Sequence, residues 1–157
     1  MNDPKQVMIK FVEELWNSRR LDVADCIISP NCMTHQLRSG VPMDAVARGP
    51  HDIKIDITQW TASFPDLRFS VEQMLCEGDR VGMQLRMEGT HRGEWMGIPA
   101  SCRKIQIRMF TVHRIAQGKI VEDWFQVEWL GLFQQMGIVP DTPDLLGIRR
   151  LEKQKDC

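Results

Sequence analysis

Apolar residues near the start of the chain recur at three- and four-residue steps. Val7, Met8, Phe11, Val12, Leu15 and Trp16 form one stripe, with Lys5, Lys10, Glu13 and Glu14 mostly opposite. This period predicts an amphipathic helix with one face on a core. Asp3 and Pro4 mark its start, as N-cap and first-turn proline. A shorter helix is predicted over residues 21–28, stopped by Ser29-Pro30, with a short strand from Cys32 to His35. Residues 36–49 read as a polar loop. Gly49-Pro50 opens a third helix, on which Ile53, Ile57, Trp60 and Phe64 share a face. It stops at Phe64-Pro65, because a residue before proline avoids the α region.

From Arg68 the period falls to that of strands. Residues 68–76 and 80–90 read as a hairpin about Glu77-Gly78-Asp79, and HRGEWMGIPASC connects it to a second pair. That pair lies within residues 103–136 and turns at Gln117-Gly118, where glycine tolerates the positive φ of a two-residue hairpin. A last helix is predicted over Trp129–Met136, capped by Gly137. Helices followed by an antiparallel meander make an α+β arrangement, in which a strongly twisted sheet wrapped over three helices leaves a conical cavity between the layers.

A chain of 157 residues has the length of one domain, expected over 1–140, with residues 141–157 a partly mobile tail. A net charge of −1 without any basic block points away from nucleic acid and membrane surfaces. Every apolar run is far shorter than the roughly 20 residues of a membrane span, and the first residues lack a signal-peptide core. Five widely spaced cysteines without a C-x-x-C pair suit free thiols in the cytoplasm. The four histidines are scattered, so no metal site is expected. Neither a glycine-rich phosphate loop nor a G-x-S-x-G elbow is present.

Asp123 interrupts a bulky apolar strand, with Val121 and Phe125 expected on its own face. It is either an acid–base group held among apolar neighbours or a rim charge paired with Arg114 or Arg108. In a regular strand Glu122 points to the opposite face, so one of the two faces the cavity, and a bulge would exchange them. His35 is either a proton relay or a structural hydrogen-bonder, and His91 either lines a pocket or braces its loop. Met109, Trp124 and Phe125 flank the acidic strand and are pocket candidates. Trp16, Trp60 and Met8 belong to helix stripes and are expected in the core. Five tryptophans and ten methionines suit a bulky, adaptable interior for a small hydrophobic ligand. Exposed apolar residues on the outer sheet face suggest a homodimer or homotetramer.

The phrases SFPDL (63–67), EGDRV (77–81), GTHRGEWMGIP (89–99), RIAQGKIVEDW (114–124) and GLFQQMG (131–137) occur together in order. In this arrangement the chain resembles the SnoaL-like polyketide cyclases of the nuclear-transport-factor-2-like (NTF2-like) superfamily, over residues 1 to about 140. The resemblance implies an NTF2-like cone: three N-terminal helices packed on a curved antiparallel sheet of four to six strands, with a pocket inside. It implies a cyclase or isomerase that closes a ring by intramolecular aldol chemistry with neither metal nor organic cofactor. Asp123 falls at the family's acid–base position, one residue before the tryptophan of VEDW. His35 falls near a polar pocket position and is carried over as a second catalytic candidate. His91, from the GTH phrase, and Glu128, four residues after the tryptophan, are carried over to substrate binding. Phe125, Ala100 and Cys102 depart from the family pattern. The same cone suits an epoxide hydrolase or isomerase, or a non-catalytic binding or dimerisation module.

Overall fold

The computed structural model describes residues 3–35 and 45–147. The N-terminal helix forms in two parts. Helix α1 (Pro4–Ile9) begins at Asp3, whose carboxylate accepts the Lys5 amide at 3.0 Å. From Lys10 to Asn17 the chain continues as a π-helix, ended by the Ser18 N–H on the Glu13 carbonyl at 3.0 Å. Such i to i+5 turns are rare and gather at functional sites. Here the wider turn brings Phe11 against Trp16 edge-on, ring centroids 6.5 Å apart.

Helix α2 (Val23–Ile27) runs straight into β1 (Ile28–His35), which starts earlier than the predicted strand. A two-residue strand β2 (Val46–Ala47) lies in the stretch read as polar loop, and residues 36–44 fall outside the described residues. Then come α3 (Pro50–Ser63), β3 (Arg68–Glu77), β4 (Arg80–Thr90), β5 (Lys104–Ala116) and β6 (Lys119–Val127). Helices α4 (Trp129–Met136) and α5 (Thr142–Leu145) follow, α5 being capped by Asp141. Within the stretch expected as a tail, Thr142–Leu145 forms this short helix, and residues 148–157 lie outside the described residues.

One six-stranded sheet has the order β2-β1-β6-β5-β4-β3. The helices do not all precede the meander: β1 intervenes between α2 and α3 and pairs parallel with β6, while the other neighbours are antiparallel. Without β1, β6 would be an exposed edge. Gln117 and Gly118 sit at φ 52° and 75°, the pair of positive values that a turn matched to strand twist requires. Val7, Met8, Leu15, Ile57, Met87, Ile105 and Ile107 are buried between helices and sheet. The α+β cone expected from the sequence is the observed architecture. Among the described residues no helix is long and apolar enough to cross a membrane.

Candidate active site

The phase of β6 decides which acid faces inward. Arg114 pairs with Glu122 but Ile115 pairs with Ile120, so Val121 is an extra residue on β6. Ile120 and Asp123 are both buried, at 1% and 4% exposure. Regular alternation from Ile120 would have turned Glu122 inward; the bulge resets the phase and aims Asp123 at the interior. Val121 therefore does not share a regular face with Asp123, contrary to the simple period of two.

On the inner face Asp123 has one register partner on each side, Thr34 of β1 and His113 of β5. All three are buried. Oδ2 of Asp123 lies 3.7 Å from the Cys32 thiol, while Oδ1 has no hydrogen-bond partner among the described residues. Thr34 Oγ1 and both ring nitrogens of His113 are likewise buried without one. Burial drives the Asp123 carboxyl up to about 6, against the opposing pull of Thr34, the Arg48 charge and Cys32. Burial also pushes His113 down to about 3, so its imidazole is neutral in neutral solution. Burial and the adjacent Asp123 carboxylate push Cys32 up to about 12, which keeps it a thiol. Neither arginine weighed as a partner reaches Asp123: Arg114 holds Glu122 at 2.9 Å and Arg108 holds Glu72 at 3.2 Å.

Between helices and sheet lies a cavity of about 230 Å³, walled by Phe11, Val12 and Trp16 of the π-helix, residues of α3, and Phe69, Leu85, Met87, Met109, Phe125 and Val127 of the sheet. Trp60, Trp95 and Trp129 form an aromatic cluster at its wall, with Trp60–Trp95 centroids 5.0 Å apart and Trp95–Trp129 6.0 Å. Asp123 itself stands just behind this wall. Phe11 and Phe125, which line the cavity, both pack on the His113 ring, at 5.5 and 5.6 Å between centroids. Phe11 and Phe125 thus touch both the hollow and the His113 ring, which does not itself line it. Arg48 lines the cavity too, is 8% exposed, and forms an ion pair with Asp56 of α3.

The sequence candidates divide accordingly. Met109 and Phe125 line the cavity and Asp123 lies behind it. Trp16 and Trp60, expected as plain core, are half-buried parts of the cavity wall. Trp124 alternates with Asp123 and therefore lies on the outer sheet face, where His35 stacks on it at 4.8 Å. His35 bonds Glu122 Oε1 at 2.9 Å, and Glu122 also accepts from Arg114, which with His35 holds its carboxyl below the usual range. His35 and Trp124 are thus turned away from the cavity. His91 is fully buried in a joint: its Nδ1 accepts the Ser101 amide at 3.1 Å and its ring lies 5.1 Å from Phe64. Glu128 caps the entrance to α4 and accepts the Arg108 amide at 3.3 Å. Neither His91 nor Glu128 lines the cavity.

Thr34, Arg48 and His113 are the residues that sequence reasoning missed. A histidine ten residues before Asp123, on the strand across a tight turn from it, was the available signal for His113. Thr34 and Arg48 gave none, since their proximity depends on the parallel β1–β6 pairing. Cys26, Cys32, Cys76 and Cys102 are free thiols, three of them exposed. Among the described residues no group of three or more His, Cys, Asp or Glu side chains is placed to hold a metal ion.

Comparison with known proteins gives the fold a lineage. A family model of SnoaL-like polyketide cyclases matches residues 6–136. TsrD from Streptomyces laurentii superposes with a TM-score of 0.74 at 25% identity, covering 86% of this chain and 95% of its own. IdmH, a proposed polyketide cyclase from Streptomyces antibioticus, gives 0.73 at 25% identity, over 87% and 99%. AclR, a proposed hydroxylase from Streptomyces galilaeus, shares the fold at 0.77 and 23% identity, over 98% and 92%. A search of curated proteins found no match.

Proposed function

The chain belongs to the SnoaL-like polyketide cyclase family, and we propose that it cyclises or isomerises an apolar, carbonyl-rich metabolite by proton transfer through Asp123, without a metal or organic cofactor. The supporting observation is a carboxyl buried beside a neutral imidazole and raised to about 6, next to an aromatic cavity. A base titrating near 6 is deprotonated at neutral pH yet remains strong enough to take a proton from carbon between two carbonyls. The C–H bond breaks, its proton passes to Asp123, and the electron pair moves onto a carbonyl oxygen. The resulting enolate carbon attacks a second carbonyl of the same molecule, forming a C–C bond. Protonated Asp123 returns its proton to the new alkoxide, so the product is an isomer of the substrate. The neutral His113 imidazole can donate one N–H to an oxygen in this sequence. For substrate to reach Asp123, Phe11 or Phe125 must swing aside, a rotamer change within ordinary side-chain motion.

The test is solvent deuterium incorporation into 1,3-dicarbonyl probes bearing an aromatic ring, followed by mass spectrometry. Wild-type protein should catalyse exchange with an acid limb near pH 6, and Asp123→Asn should lose at least about 100-fold in rate while staying folded. Exchange undiminished in Asp123→Asn would remove the acid–base role and leave a binding module.

A second copy of the chain is the partner proposed for the outer sheet face. Leu75, Phe110 and Val112, exposed by 74%, 57% and 37%, surround a groove of about 330 Å³ floored at Gly82. Arg80, Arg114, Glu122 and Glu72 border this surface with both signs of charge, as self-association requires. Light scattering should give a dimer or tetramer for wild type and a smaller species for Phe110→Glu. An unchanged mass would discard this interface.

A further inference from the structure

We propose that Arg48 is a second catalytic residue, whose guanidinium holds the substrate oxygen on which negative charge gathers when Asp123 removes the carbon-bound proton. The proposal rests on the acid–base role given to Asp123 and assigns the other half of that step.

The cavity wall is almost entirely apolar and aromatic; Arg48, Asp56 and Gln59 are its charged or amide-bearing members, and Arg48 is its one cation among the described residues. A guanidinium carries five donors in a planar fork. Nη2 bonds Asp56, and no other hydrogen bond or ion pair of this side chain occurs among the described residues. A cation 8% exposed and only partly paired is costly to hold in an apolar wall. Its backbone is fixed on two sides. The Arg48 amide donates to the Cys32 carbonyl at 2.7 Å, tying it to β1. The next residue, Gly49, lies against Pro30 so closely that a Cβ would meet its carbonyl oxygen at 2.8 Å, and the Gly49 amide donates to Asp52 at 2.9 Å. The fork is therefore carried on a rigid support between β1 and α3, as a preorganised donor needs.

Electrostatics give this donor a use. Enolate formation moves a negative charge from Asp123 to a substrate oxygen and creates none. Arg48 already acts on the Asp123 carboxylate, and Asp52, Asp56 and Cys32 are the other groups that face it. Unlike Asp123, Arg48 borders the cavity directly. As charge leaves the carboxylate behind the wall, the guanidinium in the wall receives it on the oxygen, in a medium where charge-assisted bonds are strong.

The experiment uses 4-nitrophenol, whose phenolate stands in for the enolate and is distinguished from the phenol by visible absorbance. The background is Asp123→Asn, whose neutral amide matches the protonated carboxyl of the enolate stage. Adding Arg48→Met should weaken phenolate binding about tenfold or more while changing phenol binding less than about twofold. Arg48→Lys, which keeps charge but not the fork, should fall between. Adding Asp56→Asn instead frees the guanidinium and should tighten phenolate binding several-fold, a direction that damaged packing does not produce. Equal losses for phenol and phenolate in Arg48→Met, or weaker phenolate binding in Asp56→Asn, would overturn the role of Arg48 and leave that of Asp123 standing. Binding of neither form by any variant would discard the cavity as a ligand site, and both proposals with it.

Discussion

Replacing Asp123 by asparagine should make this protein more stable at neutral pH. Burial raises the carboxyl to about 6 in the fold from its ordinary 3.8, a gap of about 2 pH units. At about 1.36 kcal/mol for each pH unit, holding the charged form inside the fold costs about 3 kcal/mol once both states are ionised. The sign follows from proton counts. Between pH 4 and 6 the folded state holds the proton that the unfolded chain has lost, so this group's contribution falls as pH rises. It is flat below 4, where both states are neutral. Asparagine removes the charge and keeps the shape, although its amide offers two donors where the carboxylate offered none. The net gain should therefore be about 1 to 3 kcal/mol at pH 8, or about 3 to 10 °C in Tm for a chain of this size, shrinking towards zero at pH 4. Urea unfolding of both proteins across this range measures it. Asp66 and Glu122 also titrate differently in the fold, but their contributions cancel in the difference between the two proteins. A variant less stable by the same amount at both pH values would refute the reasoning, since it would show a carboxylate that is solvated or well paired.

Two further perturbations probe the surroundings. Burial holds His113 at about 3, so the unfolded chain gains a proton that the fold refuses as pH falls below 6.5. His113→Phe should remove about 2 kcal/mol of the destabilisation seen between pH 7 and 5, measured by the same unfolding series; an unaltered acid slope would contradict the buried neutral imidazole. At Gly93 an added methyl would overlap the Ala62 carbonyl oxygen at the end of α3. Gly93→Ala should cost about 2 to 4 kcal/mol, whereas the same change at Gly82, where an added methyl meets nothing within 4 Å among the described residues, should be near neutral.

Local chemistry made much of the fold legible. Asp3-Pro4, Phe64-Pro65, Gln117-Gly118 and Gly137 each mark an element end, because caps, prolines and positive φ act within a few residues. The phrases that carried the family resemblance are largely joints. Asp66 of SFPDL accepts the Thr90 amide and hydroxyl of the GTH phrase at 2.6 and 2.7 Å, and Ser63 accepts the Arg92 and Gly93 amides. Gln135 of GLFQQMG brackets the backbone of Gln106, donating at 2.9 Å and accepting at 2.7 Å. Such contacts specify a shape whatever the substrate. The site was less legible because it is built across strands. Asp123 could be picked out as a carboxylate among apolar residues, but its inward aim depends on an extra residue at Val121 that no period reveals. Trp124 and Phe125 both follow Asp123 in sequence, but neighbours on a strand point to opposite faces. The place of His35 after α2 suggests a pocket residue, but the β1 register sends it outward with Trp124.

The parallel seam between β1 and β6 has an outcome for synthesis as well as for shape. β1 has the two-residue β2 on one side, but its other neighbour is Lys119–Val127, so a nascent chain cannot close the wall of the cavity until that late segment has left the ribosome. Until then the greasy side of the opening helix and the border of β1 have no finished sheet to lie on, and long-range closure of this kind slows folding. Truncations that stop short of the seam should accumulate as sticky, ligand-blind fragments, even though they retain most of the helices.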